Sequence, residues 1–131
     1  MSFAFTGIIT DAQAIELSIV KFRFAFTACT RPQDLIIAEG GEDYDALVAY
    51  ARVISGKILG RSFAVIDYRT WAGPVDFCQG CVLRNGVIVP GSSHAGDDQQ
   101  GEEALMRVML EFGIVIPESG YFEPFDRSQR G

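Results

Sequence analysis

The sequence predicts an α+β fold: a single domain over residues 1–131, with a mostly antiparallel sheet of about six to eight strands and two α-helices packed on one face. Apolar and aromatic residues alternate with polar ones, as in strands, in the first third and the middle of the chain. Residues 42–55 and 99–112 instead carry apolar residues at helical spacing. Asn85-Gly86 lies between two apolar runs and is a strong signal for a hairpin of antiparallel strands.

Strands are expected in the N-terminal third. Phe3 and Phe5 alternate with smaller residues, and residues 10–13 suit a turn. The alternation resumes over residues 15–27, with a change of phase after Val20 that is typical of a β-bulge. Residues 10–13 could instead form a capping box that opens a helix, but the alternation and the aromatic residues favour strand.

A strand, a helix and a strand are predicted next. Residues 35–38 and 62–69 are the two strands. Between them, residues 42–55 form the clearest helix, with Gly56 where a helix end favours glycine. The predicted buried face of this helix consists of Tyr44, Leu47, Val48, Ala51 and Ile54.

The last third is predicted as a hairpin, a loop, a helix and a short strand. Strands flank the turn within residues 75–89, and residues 90–98 form a polar, glycine-bounded loop. The second helix spans residues 99–112, and residues 114–117 form a last strand. Residues 119–131 are a partly irregular tail. The core of the second helix is expected to contain Leu105, Val108, Met109 and Phe112.

The composition is that of a globular protein with an acidic surface. The net charge is −6, and only two of the 11 basic residues are lysines. Nucleic acids and anionic membrane surfaces require clustered basic residues, so we expect neither as a partner. No apolar run approaches the roughly 20 residues of a membrane span. The opening residues lack a basic stretch, and the three cysteines are an odd number; a cytoplasmic protein with reduced thiols is expected.

Four side chains could supply a zinc site. Cys78 and Cys81 form a CxxC, and a Cys₃His site would also need Cys29 and His94. Cys29 ends a phenylalanine-rich segment, where a thiol usually packs as a small hydrophobic group. A redox CxxC requires a helix after its first cysteine, whereas a strand is predicted here. We therefore expect no metal or cofactor, and two half-buried thiols at a Gln-Gly bend.

A catalytic or ligand-binding pocket is the alternative around the middle strand. Asp67 and Arg69 share one face of that strand, so Asp67 could be a general base held by Arg69. Trp71, His94 and Cys78 could complete the lining of such a pocket. More often, an Asp–Arg pair of this kind is a solvated ion contact.

Ser92 and Ser93 precede His94 in the predicted loop. A Ser–His pair would suit nucleophilic catalysis, but adjacent residues on one loop rarely point at each other. A polar structural connection is the favoured interpretation.

Acidic residues between Arg31 and Arg52 form the strongest functional pattern. Helix N-termini favour acids, which accounts for those near residue 43 but not for Asp34 and Glu39. The sequence therefore predicts a small acidic protein-binding module, of the inhibitor or immunity type, for a basic protein partner. A small enzyme and a structural homo-oligomer subunit are the alternatives. The predicted partner-binding residues are Asp34, Glu39, Glu42, Asp43, Asp45 and the tail aromatics Tyr121, Phe122 and Phe125.

Overall fold

A computed structural model of the protein describes residues 3–11, 27–28, 35–40, 43–70, 75–97 and 99–115. These residues form seven strands and two helices. The strands are β1 (Phe3–Asp11), β2 (Thr27–Ala28), β3 (Leu35–Glu39), β4 (Phe63–Thr70), β5 (Val75–Arg84), β6 (Val87–Ile88) and β7 (His94–Asp97). The helices are α1 (Tyr44–Lys57) and α2 (Gln99–Phe112). Neither helix is long and apolar enough to cross a membrane.

All the described strands belong to one antiparallel sheet in the order β2-β3-β1-β4-β5-β6. β7 pairs with β5 along the same edge as β6, because His94 lies opposite Gly80 and Ile88 lies opposite Leu83. The predicted α+β class is thus confirmed.

The two helices cover opposite faces of the sheet, which differs from the predicted packing on one face. Ile8, Val65 and Cys81 lie opposite one another in β1, β4 and β5, and they pack with α1. The residues next to them along each strand, Ile9, Ile66 and Val82, point to the other face of the sheet and pack with α2. The central strands are apolar on both faces, so each face requires a cover. The consecutive Ile8 and Ile9 are both fully buried for this reason, one under each helix.

α1 extends two residues beyond its predicted end. Gly56 lies inside the helix, where a Cβ would come within 3.5 Å of the Gly86 Cα. The hydroxyl of Ser55 accepts a hydrogen bond from the Gly86 N–H at 3.1 Å. Gly56 therefore does not end the helix, and it lies beside the hairpin turn with room for a Cβ in ordinary van der Waals contact.

The hairpin turn has the predicted geometry. Asn85 and Gly86 have φ values of 55° and 83°, as a type I′ turn requires. The Asn85 side chain also accepts a hydrogen bond from the Gly60 N–H at 2.9 Å, which ties the turn to the segment after α1.

α2 has the predicted bounds, and Gly113 ends it with a φ of 112°. The N–H groups of Gly113 and Ile114 bond the carbonyls of Leu110 and Met109, the pattern of a Schellman cap. Ile114 and Val115 are not in a strand, so that part of the predicted last strand is wrong.

Two further strand boundaries differ from prediction. β1 continues through Asp11, where a turn was expected, and β7 occupies part of the predicted loop. β7 lies close to α2 because Gly96 has no side chain; a Cβ there would be 2.5 Å from the Gln100 carbonyl oxygen. Most of the predicted strands over residues 15–27, with the alternative helix, lie outside the described residues.

Candidate functional site

Two neighbouring open depressions lie between the first turn of α1 and the sheet. The first has a volume of about 280 Å³ and is lined by Thr6, Asp43, Tyr44, Asp45, Asp67, Arg69 and Gln79. The second, of about 320 Å³, continues past Val48, Cys81 and Ile88 to the segment from Ser93 to Ala95. Tyr44, Asp45 and Gln79 line both, so the two depressions form one groove, named here the α1 groove.

Asp67 lies at the floor of the first depression, with only 4% of its surface exposed. Its carboxylate accepts hydrogen bonds from the Thr6 hydroxyl at 3.3 Å and the Gln79 amide at 3.1 Å. Arg69 Nε donates a third at 3.3 Å. A buried carboxylate is costly unless it is hydrogen bonded, and these donors occupy three of its roughly four acceptor positions. Asp67 is therefore a fixed negative charge with little acceptor capacity left.

The register of the sheet assembles this hydrogen-bonded group. Thr6, Asp67 and Gln79 lie directly opposite one another on β1, β4 and β5. Cross-strand neighbours on one face are close enough for side-chain contact. Three polar residues distant in sequence thus form a single row on the α1 face of the sheet.

Two exposed carboxylates form the rim of the groove. Asp43 is the N-cap of α1 and accepts a hydrogen bond from the Ala46 N–H at 2.8 Å. Asp45 follows in the first helical turn and is exposed. Arg69 supplies the one guanidinium among the residues that line the first depression, and its side chain is 63% exposed. With Asp67, the described residues of this lining contribute three carboxylates and one cation, which makes this part of the groove negative.

The middle of the groove is neutral. The Tyr44 side chain is hydrogen bonded to the Cys81 thiol. Burial raises the pKa of Cys81 above its usual value. Burial and the bond to Cys81 raise the pKa of Tyr44 well above its usual range. Neither group ionises near neutral pH, so the charge of the groove comes from its carboxylates and Arg69.

The two cysteines of the CxxC point to opposite faces of the sheet. β5 is continuous through both, with no bend at Gln-Gly, and residues three apart on a strand face opposite ways. Cys78 packs under α2 and Cys81 under α1, and both are fully buried where half-burial was expected. Burial, with a smaller effect of the Asp67 charge, raises the pKa of Cys78 to about 12. The thiols are placed as core groups, and this geometry prevents them from chelating one ion.

His94 borders the α1 groove at its far end, but its side chain belongs to the other face. Its partner in β5 is Gly80, where a Cβ would point at Val108 of α2. Strand alternation therefore directs the imidazole toward α2, where His94 also borders a small depression with Glu103 and Arg107. The structure brings Asp67 and Arg69 together and places the His94 side chain apart from them.

Ser92 is a structural residue. It is fully buried, and its hydroxyl accepts from the Val82 N–H at 3.1 Å and donates to the Val89 carbonyl at 2.7 Å. These bonds hold the connection between β6 and β7 against β5. The Ser92 hydroxyl is thus hydrogen bonded to backbone groups, in agreement with the interpretation of this segment as a polar structural connection.

Several predicted site residues lie outside the described residues: Cys29, Asp34, Glu42, Trp71, Tyr121, Phe122 and Phe125. Glu39 lies in β3, but its side chain is also outside the description. Conversely, sequence reasoning missed Thr6 and Gln79 as parts of the site and assigned Tyr44 to the core alone. Only the register between β1, β4 and β5 identifies the first two.

Comparisons with protein-family models, with curated proteins and with solved structures find no match to this chain.

Proposed function

We propose that this protein is an acidic protein-binding module that receives a basic segment of a partner protein in the α1 groove. One observation carries the proposal. Asp43 and Asp45 from the start of α1 and Asp67 from β4 border the same open groove, although they are far apart in sequence.

The electrostatics of the groove favour a guanidinium or ammonium group. Two opposite charges 4 Å apart attract by about 1 kcal/mol in water and by about 4 kcal/mol near a protein surface. A cation in the groove would face Asp43 and Asp45 at the rim and Asp67 below them. The net charge of −6 would also speed encounter with a basic partner.

The groove is preorganised for this role. Asp67 is held by Thr6 and Gln79 on strands of the sheet, and Asp43 is held by its capping bond to α1. Little side-chain ordering remains to be done when a partner binds, which reduces the entropic cost of association.

A titration with a defined basic probe tests the proposal. Hexa-arginine added to isotopically labelled protein should shift the backbone amide signals of residues 43–46, 67–69 and 79, while hexaglutamate should not. The double variant Asp43→Asn, Asp45→Asn should weaken this binding several-fold. Glu111→Gln neutralises an exposed acid on α2, away from the groove, and should leave the affinity unchanged. Equal weakening by both variants, or shifts spread over all acidic segments, would contradict the proposal.

The alternative is a small enzyme or ligand-binding domain with a pocket around Asp67, Trp71 and His94. The buried, hydrogen-bonded carboxylate of Asp67 favours it, because such groups position small ligands. The openness of both depressions and the orientation of His94 favour the protein-binding proposal. Titration with a small amine such as arginine methyl ester separates the two. Binding of the amine as tight as that of the peptide would favour the alternative.

A further inference from the structure

The end of the molecule away from the acidic rim is basic and partly apolar. Here α1 ends, β4 begins and the β5–β6 hairpin turns. Its surface residues are Lys57, Leu59, Arg61, Arg84 and Val87, named here the basic end. Segments 55–62 and 83–87, which form it, contain no acidic residue.

Hydrogen bonds hold these segments together as one surface. The Gly60 N–H bonds the Asn85 side chain at 2.9 Å, and Arg84 Nε donates to the Ser62 hydroxyl at 3.0 Å. Ser62 is neutral, and Arg84 has no ion pair with an acidic residue in the part of the chain that the structure describes. Lys57 is exposed and has no ion-pair partner among the described residues.

The acidic rim and the basic end are far enough apart to act separately. Asp45 and Lys57 are twelve residues apart on one helix, or ~18 Å. At physiological ionic strength the screening length is about 8 Å, so the charges of one surface have little electrostatic effect at the other. The helix dipole accounts for Asp45 and Lys57 at the two ends of α1. It does not account for Asp67 and Arg84, which lie on strands.

Two aliphatic side chains of the basic end are also largely exposed. Leu59 is 71% and Val87 58% exposed. Burying them against a partner would be favourable. The far part of the α1 groove offers such a surface, because Val48 and Ile88 line it.

We infer that the basic end of one copy docks in the α1 groove of a second copy, so that the protein associates head to tail with itself. The inference rests on the proposed function and names its partner. The second copy carries the complementary charges, three carboxylates against Lys57 and Arg84, and an apolar surface for Leu59. The two surfaces of this contact differ, so it is heterologous and adds copies in chains or rings.

A pair of variants tests this geometry. The groove variant carries Asp43→Asn and Asp45→Asn, and the end variant carries Lys57→Gln and Arg84→Gln, so that neither variant gains a charge that could attract the altered surface of the other. Each variant loses one of the two surfaces and keeps the other. Circular dichroism and thermal unfolding establish that both remain folded, and Glu111→Lys on α2 serves as a charge-changing control.

Light scattering over a concentration series is the measurement. The wild type and Glu111→Lys should rise above the mass of one chain, and each variant alone should stay at that mass. An equal mixture of the two variants should give the mass of two chains and no more, because only one intact contact can form. The wild type should also exceed the mass of two chains, because a head-to-tail contact adds further copies; a two-fold dimer, in which each groove holds the basic end of the other copy, would stop at that mass.

A wild type that stays at the mass of one chain at ~1 mM would overturn the inference, since any contact would then be weaker than about 4 kcal/mol. So would variants that associate as the wild type does. If the hexa-arginine titration still succeeds in that case, the groove binds another basic protein and the proposed function stands. If both experiments fail, both proposals fall.

Discussion

Replacing Asp43 separates its two roles, capping α1 and contributing charge to the groove. Asp43→Ala removes the 2.8 Å bond to the Ala46 N–H and should destabilise the protein by about 1 kcal/mol. With a urea slope of about 1.5 kcal/mol per molar, the unfolding midpoint falls by about 0.7 M. Asp43→Asn keeps the capping oxygen and should lie within about 0.5 kcal/mol of the wild type, since it loses only the interaction with the helix dipole.

The two variants should differ in stability but lose the same amount of affinity for hexa-arginine. Both lose the carboxylate at the rim of the groove, so both should bind hexa-arginine about two- to fivefold more weakly, as expected for an exposed ion pair. Urea unfolding and peptide titration of the same two variants provide the data. Asp43 does not have these two separate roles if Asp43→Asn destabilises the protein as much as Asp43→Ala, or if Asp43→Asn binds hexa-arginine as tightly as the wild type.

Two further predictions concern Arg69 and the buried thiols. Arg69→Gln removes the cation that bonds Asp67 at 3.3 Å, and should strengthen hexa-arginine binding several-fold, measured by the same titration; weaker binding would mean that Arg69 helps to hold the partner. Cys78 has a folded pKa of about 12 against an ordinary value of 9.0, so its stabilising contribution is complete below pH 9 and declines as the pH rises from 9 toward 12. The raised pKa values of Cys81 and Tyr44 act in the same direction. Urea midpoints measured from pH 7 to 10.5 should therefore fall above pH 9, with a shallower fall in Cys78→Ala; identical slopes in the two proteins would contradict the assignment to Cys78.

Elements with local signals were predictable from the sequence. The bounds of α2 follow from its apolar spacing and its terminal glycine, and the turn at Asn85-Gly86 follows from a dipeptide that tolerates positive φ. β7 had no such signal. Its sequence, His-Ala-Gly-Asp, is a strand because it pairs with β5 and because Gly96 allows α2 to approach.

The site was only half predictable for the same reason. Asp67 and Arg69 are two residues apart on one strand, so their pairing follows from strand alternation. Thr6 is 61 residues from Asp67 and belongs to another strand. Which residues face each other across strands depends on the register, and the register is fixed by the packing of the whole sheet. The placement of the helices on both faces did have a signal that the prediction did not use: consecutive apolar residues such as Ile8 and Ile9 in a central strand require a cover on each face.

The groove exists because α1 is shorter than the strands beneath it. A helix of 14 residues spans ~21 Å, whereas the ten residues of β5 span ~33 Å, so α1 itself covers only part of this face. The sequence of β4 changes from apolar to charged at the end of the part that α1 covers. Phe63 and Val65 lie under the helix and are fully buried, and the next two residues on the same face are Asp67 and Arg69. The change from apolar to charged residues along one strand thus marks where the helix begins. A site formed in this way is built on a sheet and a capped helix, which explains why hydrogen bonds within the fold hold the carboxylates of Asp43 and Asp67 in place.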